Sequence, residues 1–227
     1  MREKPKVPES GRYGFSELYK IVEELRAPGG CPWDREQTHE SLVRPMLEEA
    51  LEAIDAIRKD DRDKIVEELG DVLLQVIFHS VIAEEAGEFT FEDITDRCSR
   101  KMIGRHVHIF GEEKADTPSE ALSNWDAAKL KEKGFTSLSQ DLEDIPKVFP
   151  ALMRAEKAAK KIRKAGRHNE TRGDIGEDSI VGIDFGDPDK VGALLYEICT
   201  RAEEKGVKCE EALRDATDGI IAKMKDA

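Results

Sequence analysis

Leu47-Glu48-Glu49-Ala50-Leu51-Glu52-Ala53-Ile54-Asp55 and, after the polar connection Lys59–Asp63, Lys64-Ile65-Val66-Glu67-Glu68-Leu69-Gly70-Asp71-Val72-Leu73-Leu74-Gln75-Val76-Ile77-Phe78-His79 decide the fold. At about 100° of rotation per residue, the first stretch places Leu47, Ala50, Leu51, Ile54 and Ile57 on one helical face. Glu48, Glu49, Glu52 and Asp55 fall on the other. Alone, that acidic side reads as a solvated face. The second stretch changes the reading. Val72, Leu73, Leu74, Val76, Ile77, Phe78, Val81 and Ile82 surround nearly its whole circumference, so this helix is expected to be buried on most sides. One polar line runs through it: Lys64, Glu68, Asp71, Gln75 and His79. Carboxylates in so apolar a helix need partners, because an uncompensated buried charge costs several kcal/mol.

Lys64 can neutralise one carboxylate; a hard cation can neutralise both and draw ligands from the preceding helix as well. The pairs Glu49-x-x-Glu52 and Glu68-x-x-Asp71 each project from one face. The tight connection between the two helices implies antiparallel packing, so four carboxylates are expected to converge. An all-oxygen site suits Mg²⁺ or Mn²⁺ rather than zinc. A di-iron bundle requires two Glu-x-x-His motifs, and the chain has one, Glu36-x-x-His39. His106-x-His108 has no Cys or third nearby His to complete a zinc site.

Working outward, the whole chain reads as all-α. Glu, Lys, Ala, Leu and Arg dominate, aromatic residues are 6%, and no stretch alternates with period two. Helices are expected over 16–26, 41–58, 62–86, 91–105 and 118–133, then over 151–165, 188–205 and 209–225. Pro146 and Pro150 punctuate a turn-rich connection. The organisation is a module over 1–136, a connection over 137–150 and a smaller helical module over 151–227. The 227 residues carry 36 basic and 49 acidic side chains, a net charge of −13, which argues against a DNA or RNA surface. No apolar run approaches the ~18 residues of a membrane helix, and the N-terminus has no signal-peptide core. Cys31, Cys98, Cys199 and Cys209 are widely spaced, as expected for a reduced cytoplasmic protein.

A cationic counterpart lies further along. Arg97, Lys101 and Arg105 stand at successive i, i+4 positions, and Trp125 and Lys129 repeat that spacing. Surface salt bridges to the many glutamates are the plain account; a phosphate clamp with an indole beside a nucleobase is the other. No glycine-rich phosphate loop is present.

Glu48-Glu49-Ala50-Leu51-Glu52 and Glu67-Glu68-Leu69-Gly70-Asp71 resemble the EExxE…ExxD signature of MazG-type nucleoside triphosphate pyrophosphohydrolases. Leu25-Arg26, Cys31-Pro32-Trp33-Asp34, Gln37-Thr38-His39, Ser41-Leu42, Phe78-His79, Arg105 to Gly111 and Trp125-Asp126-x-x-Lys129 resemble flanking blocks of the same family, in order. Val107 stands where that family usually has Pro. The resemblance spans about residues 15–135. It implies an all-α fold, self-association as a homodimer or larger homo-oligomer, and Mg²⁺-dependent hydrolysis of NTP or dNTP to the monophosphate and pyrophosphate. It also implies that Glu49, Glu52, Glu68 and Asp71 bind the metal and that Glu48 orients or deprotonates water. Lys64, Lys101, Arg105 and Lys129 would hold phosphates, with Lys64 also part of the catalytic set and Trp125 near the nucleoside. Gly192-Ala193-Leu194-Leu195-Tyr196 resembles Gly70 to Leu74 with Ala193 in place of the ligand Asp, so 151–227 reads as a degenerate second module. The alternatives are a narrower relative acting on dCTP, dUTP or phosphoribosyl-ATP, and a non-catalytic helical partner whose acidic face docks onto another protein.

Overall fold

The computed structural model describes residues 7–167 and 184–216, and among them there are helices and no strand. In chain order these are α1 (Phe15–Arg26), α2 (Pro32–Glu36), α3 (Val43–Arg58), α4 (Arg62–Ala86), α5 (Phe91–Arg105), α6 (Val107–Phe110), α7 (Pro118–Lys133), α8 (Leu138–Glu143), α9 (Ala151–Lys164) and α10 (Pro188–Glu204). Residues 209–216 are helical too; the rest of the helix expected over 209–225 lies outside the described residues. So does most of the stretch between Gly166 and Asp187. The chain packs as two units, Met1–Asn124 and Trp125–Ala227, a division that falls inside α7.

In the first unit α4 is the central element. Asp61 caps its start, accepting from the Lys64 amide at 3.1 Å, and Gly87 ends it in the left-handed region at φ 70°. Ile77, Phe78 and Val81 of α4 join Val22 of α1 and Leu42 in one buried cluster, with Leu18, Tyr19, Leu74 and Ile82 packed against it. Arg26, 8% exposed, ties the following loop down. Its guanidinium donates to the backbone carbonyls of Asp34 and Gln37 and forks onto Glu85 of α4 at 3.0 and 2.7 Å. Phe15, Tyr19 and Phe91 pack their rings in tilted and edge-on contacts where α1 meets the start of α5, and the Tyr19 hydroxyl donates to Glu84 at 2.6 Å.

The packed face of α3 is not the one its apolar residues suggest. Leu47, Leu51, Ile54 and Ile57 are exposed, while Ala53 and Ala56 are buried. Among the described helices α3 contacts α4, so the alanine side faces that partner. Glu49, one turn before Ala53, shares this face; the large aliphatics point the other way. On α4, Val66, Leu69 and Leu73 are likewise exposed, so this helix is buried on fewer sides than its composition implies.

In the second unit α9 packs on α8 and α10. Ile145, Ala159, Ile162, Leu194, Cys199 and Cys209 form its buried apolar set. The 137–150 segment, expected as a turn-rich connection, contains α8. Ser137 caps it by accepting from the Gln140 amide at 3.3 Å. Arg163 of α9 grips Glu203 of α10 with two bonds of 2.8 and 2.7 Å.

Candidate metal centre

Because α3 turns Glu49, Ala53 and Ala56 toward α4, and α4 aligns Lys64, Glu68, Asp71 and Gln75 along one line, the two helices bring their carboxylates together. Glu49, Glu68 and Asp71 each offer an oxygen, and these three atoms lie within 4.8 Å of one another. Glu68 is 2% exposed. Lys64 Nζ reaches Glu68 Oε1 at 2.7 Å and Glu67 Oε2 at 3.2 Å. One ammonium is thus set against three converging carboxylates.

The electrostatics register the imbalance. Burial pushes the Glu49 carboxyl above its ordinary value, and the charges of Asp71, Glu52, Glu68 and Glu48 push it the same way. Hydrogen bonds to Glu68 and Glu67 raise Lys64. Gln75, one turn beyond Asp71, is buried, and its Oε1 has no hydrogen-bond partner among the described residues. Oxygens about 2.1 Å from one Mg²⁺ stand at most about 4.2 Å apart, so a group spanning 4.8 Å needs only small side-chain rotations to close on such an ion. The donors are all oxygen, which suits a hard divalent cation. The residues fit the group.

The remaining residues of the sequence reading are placed as follows. Glu52 is exposed on α3 and stands outside the group of three, although its charge is felt by Glu49. About 60° of helical rotation separates it from Glu49, away from α4. Glu48 is exposed and held by Arg44 at 2.7 Å. On α5, Lys101 is half-buried and Arg105 buried. Trp125 and Lys129 are half-buried residues of the second unit. His106 Nδ1 lies 2.7 Å from the Met102 carbonyl, and no metal-ligating group among the described residues includes His106 or His108.

One contact went unread in the sequence. His39 and His79 stack at 5.0 Å between ring centroids, with Nδ1 to Nδ1 at 2.7 Å. The pair fastens the segment leading into α3 onto α4. Burial lowers the pKa of His79, and the neighbouring His39 lowers it further. The signal was present: His79 closes the polar line of α4, and His39 precedes α3 by a few residues.

Residues 37–110 match the MazG nucleotide pyrophosphohydrolase domain. A Thermotoga maritima protein named nucleoside triphosphate pyrophosphohydrolase/pyrophosphatase MazG is 38% identical over 219 residues, covering 93% of this chain and 84% of its own. An Escherichia coli nucleoside triphosphate pyrophosphohydrolase is 36% identical over 223 residues, covering 92% and 85%. A Bacillus subtilis protein, YabN, is 47% identical over 146 residues, and this chain spans 30% of its length. Similarity of this extent, with the three converging carboxylates inside the matched domain, makes the chain a member of the MazG nucleotide pyrophosphohydrolase family.

Proposed function

We propose that the chain hydrolyses nucleoside triphosphates to the monophosphate and pyrophosphate at the α3–α4 carboxylates. The observation that carries this reading is the convergence of Glu49, Glu68 and Asp71 on a helix pair with a deficit of positive charge. Together with Glu52 as a flanking ligand, they would hold Mg²⁺ or Mn²⁺. When bound, such an ion lowers the pKa of water and polarises phosphoryl oxygens.

The chain's own residues supply the rest. Glu48 accepts the proton of the attacking water, with Arg44 fixing its carboxylate. Lys64 holds Glu68 in place and adds positive charge at the phosphates. Lys101 and Arg105, one turn apart on α5, bind the phosphate chain, Arg105 as a fork and Lys101 as a point charge. For Trp125 and Lys129 the family resemblance alone supports a nucleoside and a phosphate contact. The second unit is read as a degenerate copy without a metal site.

A second copy of the chain is the proposed partner. The exposed Leu47, Leu51, Ile54, Val66, Leu69 and Leu73 support this, because a helix pair leaving so much aliphatic surface in water gains by covering it. The four free cysteines suit a reducing cytoplasm. No described helix is long and apolar enough to cross a membrane. The test is an assay of pyrophosphate and orthophosphate release across the common NTPs and dNTPs, with Mg²⁺ and with EDTA. One pyrophosphate per monophosphate, dependent on the metal, is expected; orthophosphate as the product overturns the reading.

A further inference from the structure

The second unit contains a cavity of about 770 Å³, within the range of small-molecule sites. Its lining residues come from the end of α7, from α8 and the segment after it, and from α9, all within the one unit. Lys157, Lys160, Lys161 and Lys164 line it at i, i+3, i+4 and i+7, so that the last two turns of one face of α9 are lysine. Lys129 and Lys133 of α7 line it as well. Against these six ammonium groups stand three carboxylates, Asp126, Asp141 and Asp144. The cavity is therefore cationic in a chain whose net charge is −13.

Several of these groups are paired, Lys129 among those with a partner. Lys133 bonds Asp144, Lys161 bonds Asp141 and Lys164 bonds Asp126. Asp144 is held below the usual carboxylate range by its bond to Lys133, with Lys129 and Lys161 acting in the same direction. Lys160 also lies in the field of Glu203, which Arg163 grips. Like charges at i, i+3 and i, i+4 work against a helix. Four lysines on one face of α9, turned into a concavity rather than spread around the helix, therefore need a reason. Apolar surface lies beside the charge: Phe149 beneath Lys157 at 5.3 Å, Phe135 beneath Lys133 at 5.4 Å, and the buried Ile145.

We propose that this cavity binds a phosphorylated small molecule with a planar apolar part, of the mononucleotide class, using residues other than the three carboxylates and their helices. The phosphate takes the excess positive charge of the lysine face, and the ring system lies on the phenylalanine side. Lys129 is the one lining residue that the hydrolytic reading also uses; the proposal rests on Lys157 and Lys160 instead and stands or falls on binding.

The probe is AMP, titrated calorimetrically into the full chain in EDTA, so that the carboxylates carry no metal. Saturable binding is expected, weakened about tenfold or more by Lys157→Met/Lys160→Met, and unchanged by Lys101→Ala, which removes a proposed phosphate contact on α5. Inorganic phosphate should bind several-fold more weakly than AMP; equal affinity overturns the planar part of the proposal. Absence of saturable binding overturns all of it. So does binding that survives in the lysine variant and is lost in Lys101→Ala. Circular dichroism checks that the double variant is folded. Should it not be, acetic anhydride labelling of the wild-type chain replaces it: AMP must protect Lys157 and Lys160 from acetylation, and equal labelling overturns the site.

Discussion

On α4, Glu68 is 2% exposed and meets Glu49 and Asp71 at one place, with Lys64 alongside. On α10, Glu197 is 3% exposed and stands apart, one oxygen gripped by Arg201 of its own helix at 2.7 Å. Glu156 of α9, 6% exposed, accepts from the Cys209 amide and faces Lys208 at 3.7 Å. Both helix pairs bury carboxylates. The second supplies a protein partner to each, although Glu197 Oε2 finds none among the described residues, whereas the first gathers three where its own cations are too few. Burial of acid is therefore not what marks a metal centre; the deficit of nearby positive charge is.

The largest effect that would break this contrast is at Asp71. Asp71→Asn keeps the shape and removes one charge, and it should lower metal-dependent pyrophosphate release by about a hundredfold or more. It should also abolish the rise in melting temperature that Mg²⁺ is expected to give the wild-type chain. Turnover within about threefold of wild type would remove Asp71 from the ligands.

Next in size is Arg201→Met. It strands Glu197 in the interior, and urea unfolding should show a loss of about 2 kcal/mol, below the usual range for a buried pair because Arg201 is 44% exposed. Glu197→Gln in the same background should recover most of it. A loss that Glu197→Gln does not repair would mean that Arg201 acts by packing alone.

A smaller difference concerns pH. Burial lowers the pKa of His79, so the unfolded chain takes up the proton first. The stability this contributes is fully present above the ordinary histidine value of about 6.5, and it is lost as pH falls through the lower folded value. Glu49 acts in the opposite sense in the carboxylate range, because its folded pKa is raised and protonation favours the metal-free fold. Melting temperatures of the metal-free chain between pH 7.5 and pH 5 should fall, and His79→Gln should flatten that slope. α9 and α10 contain no histidine. An unchanged slope would place the titration elsewhere.

The smallest expected effect is none. Ala193→Asp restores the residue that the resemblance to Gly70–Leu74 requires, yet Lys190 then stands where Glu68 does. Mg²⁺ should not stabilise the second unit of this variant, and a metal-dependent shift would show that the degenerate copy is one substitution from function.

Much of this was legible beforehand, for identifiable reasons. The bounds of α4, α5 and α7 follow from strong punctuation: Asp61 and Gly87, Thr90, Pro118 and Gly134. The helices α2, α6 and α8 are too short to show a period. The packed side of α3 does not follow its hydrophobicity, which favours the leucines, because close approach to α4 favours alanine. Glu49, Glu68 and Asp71 could be grouped from i, i+3 spacing, but the same spacing admits Glu52, which the small rotation about α3 carries to the flank. The lysine cavity was not foreseen, since α9, α8 and the end of α7 meet only after folding.

Ala53 and Ala56 touch no ligand, yet they act as a spacer gauge between the two helices. A methyl group on each lets the backbones come close, and that distance sets how far Glu49 must reach toward Glu68 and Asp71. A larger side chain at either position would wedge the helices apart and widen the cage. A small cation that demands short, regular bonds would then lose ground to a larger, more tolerant one. Any preference for one ion over another would in this sense follow from two methyl groups as much as from the acids proposed to hold it.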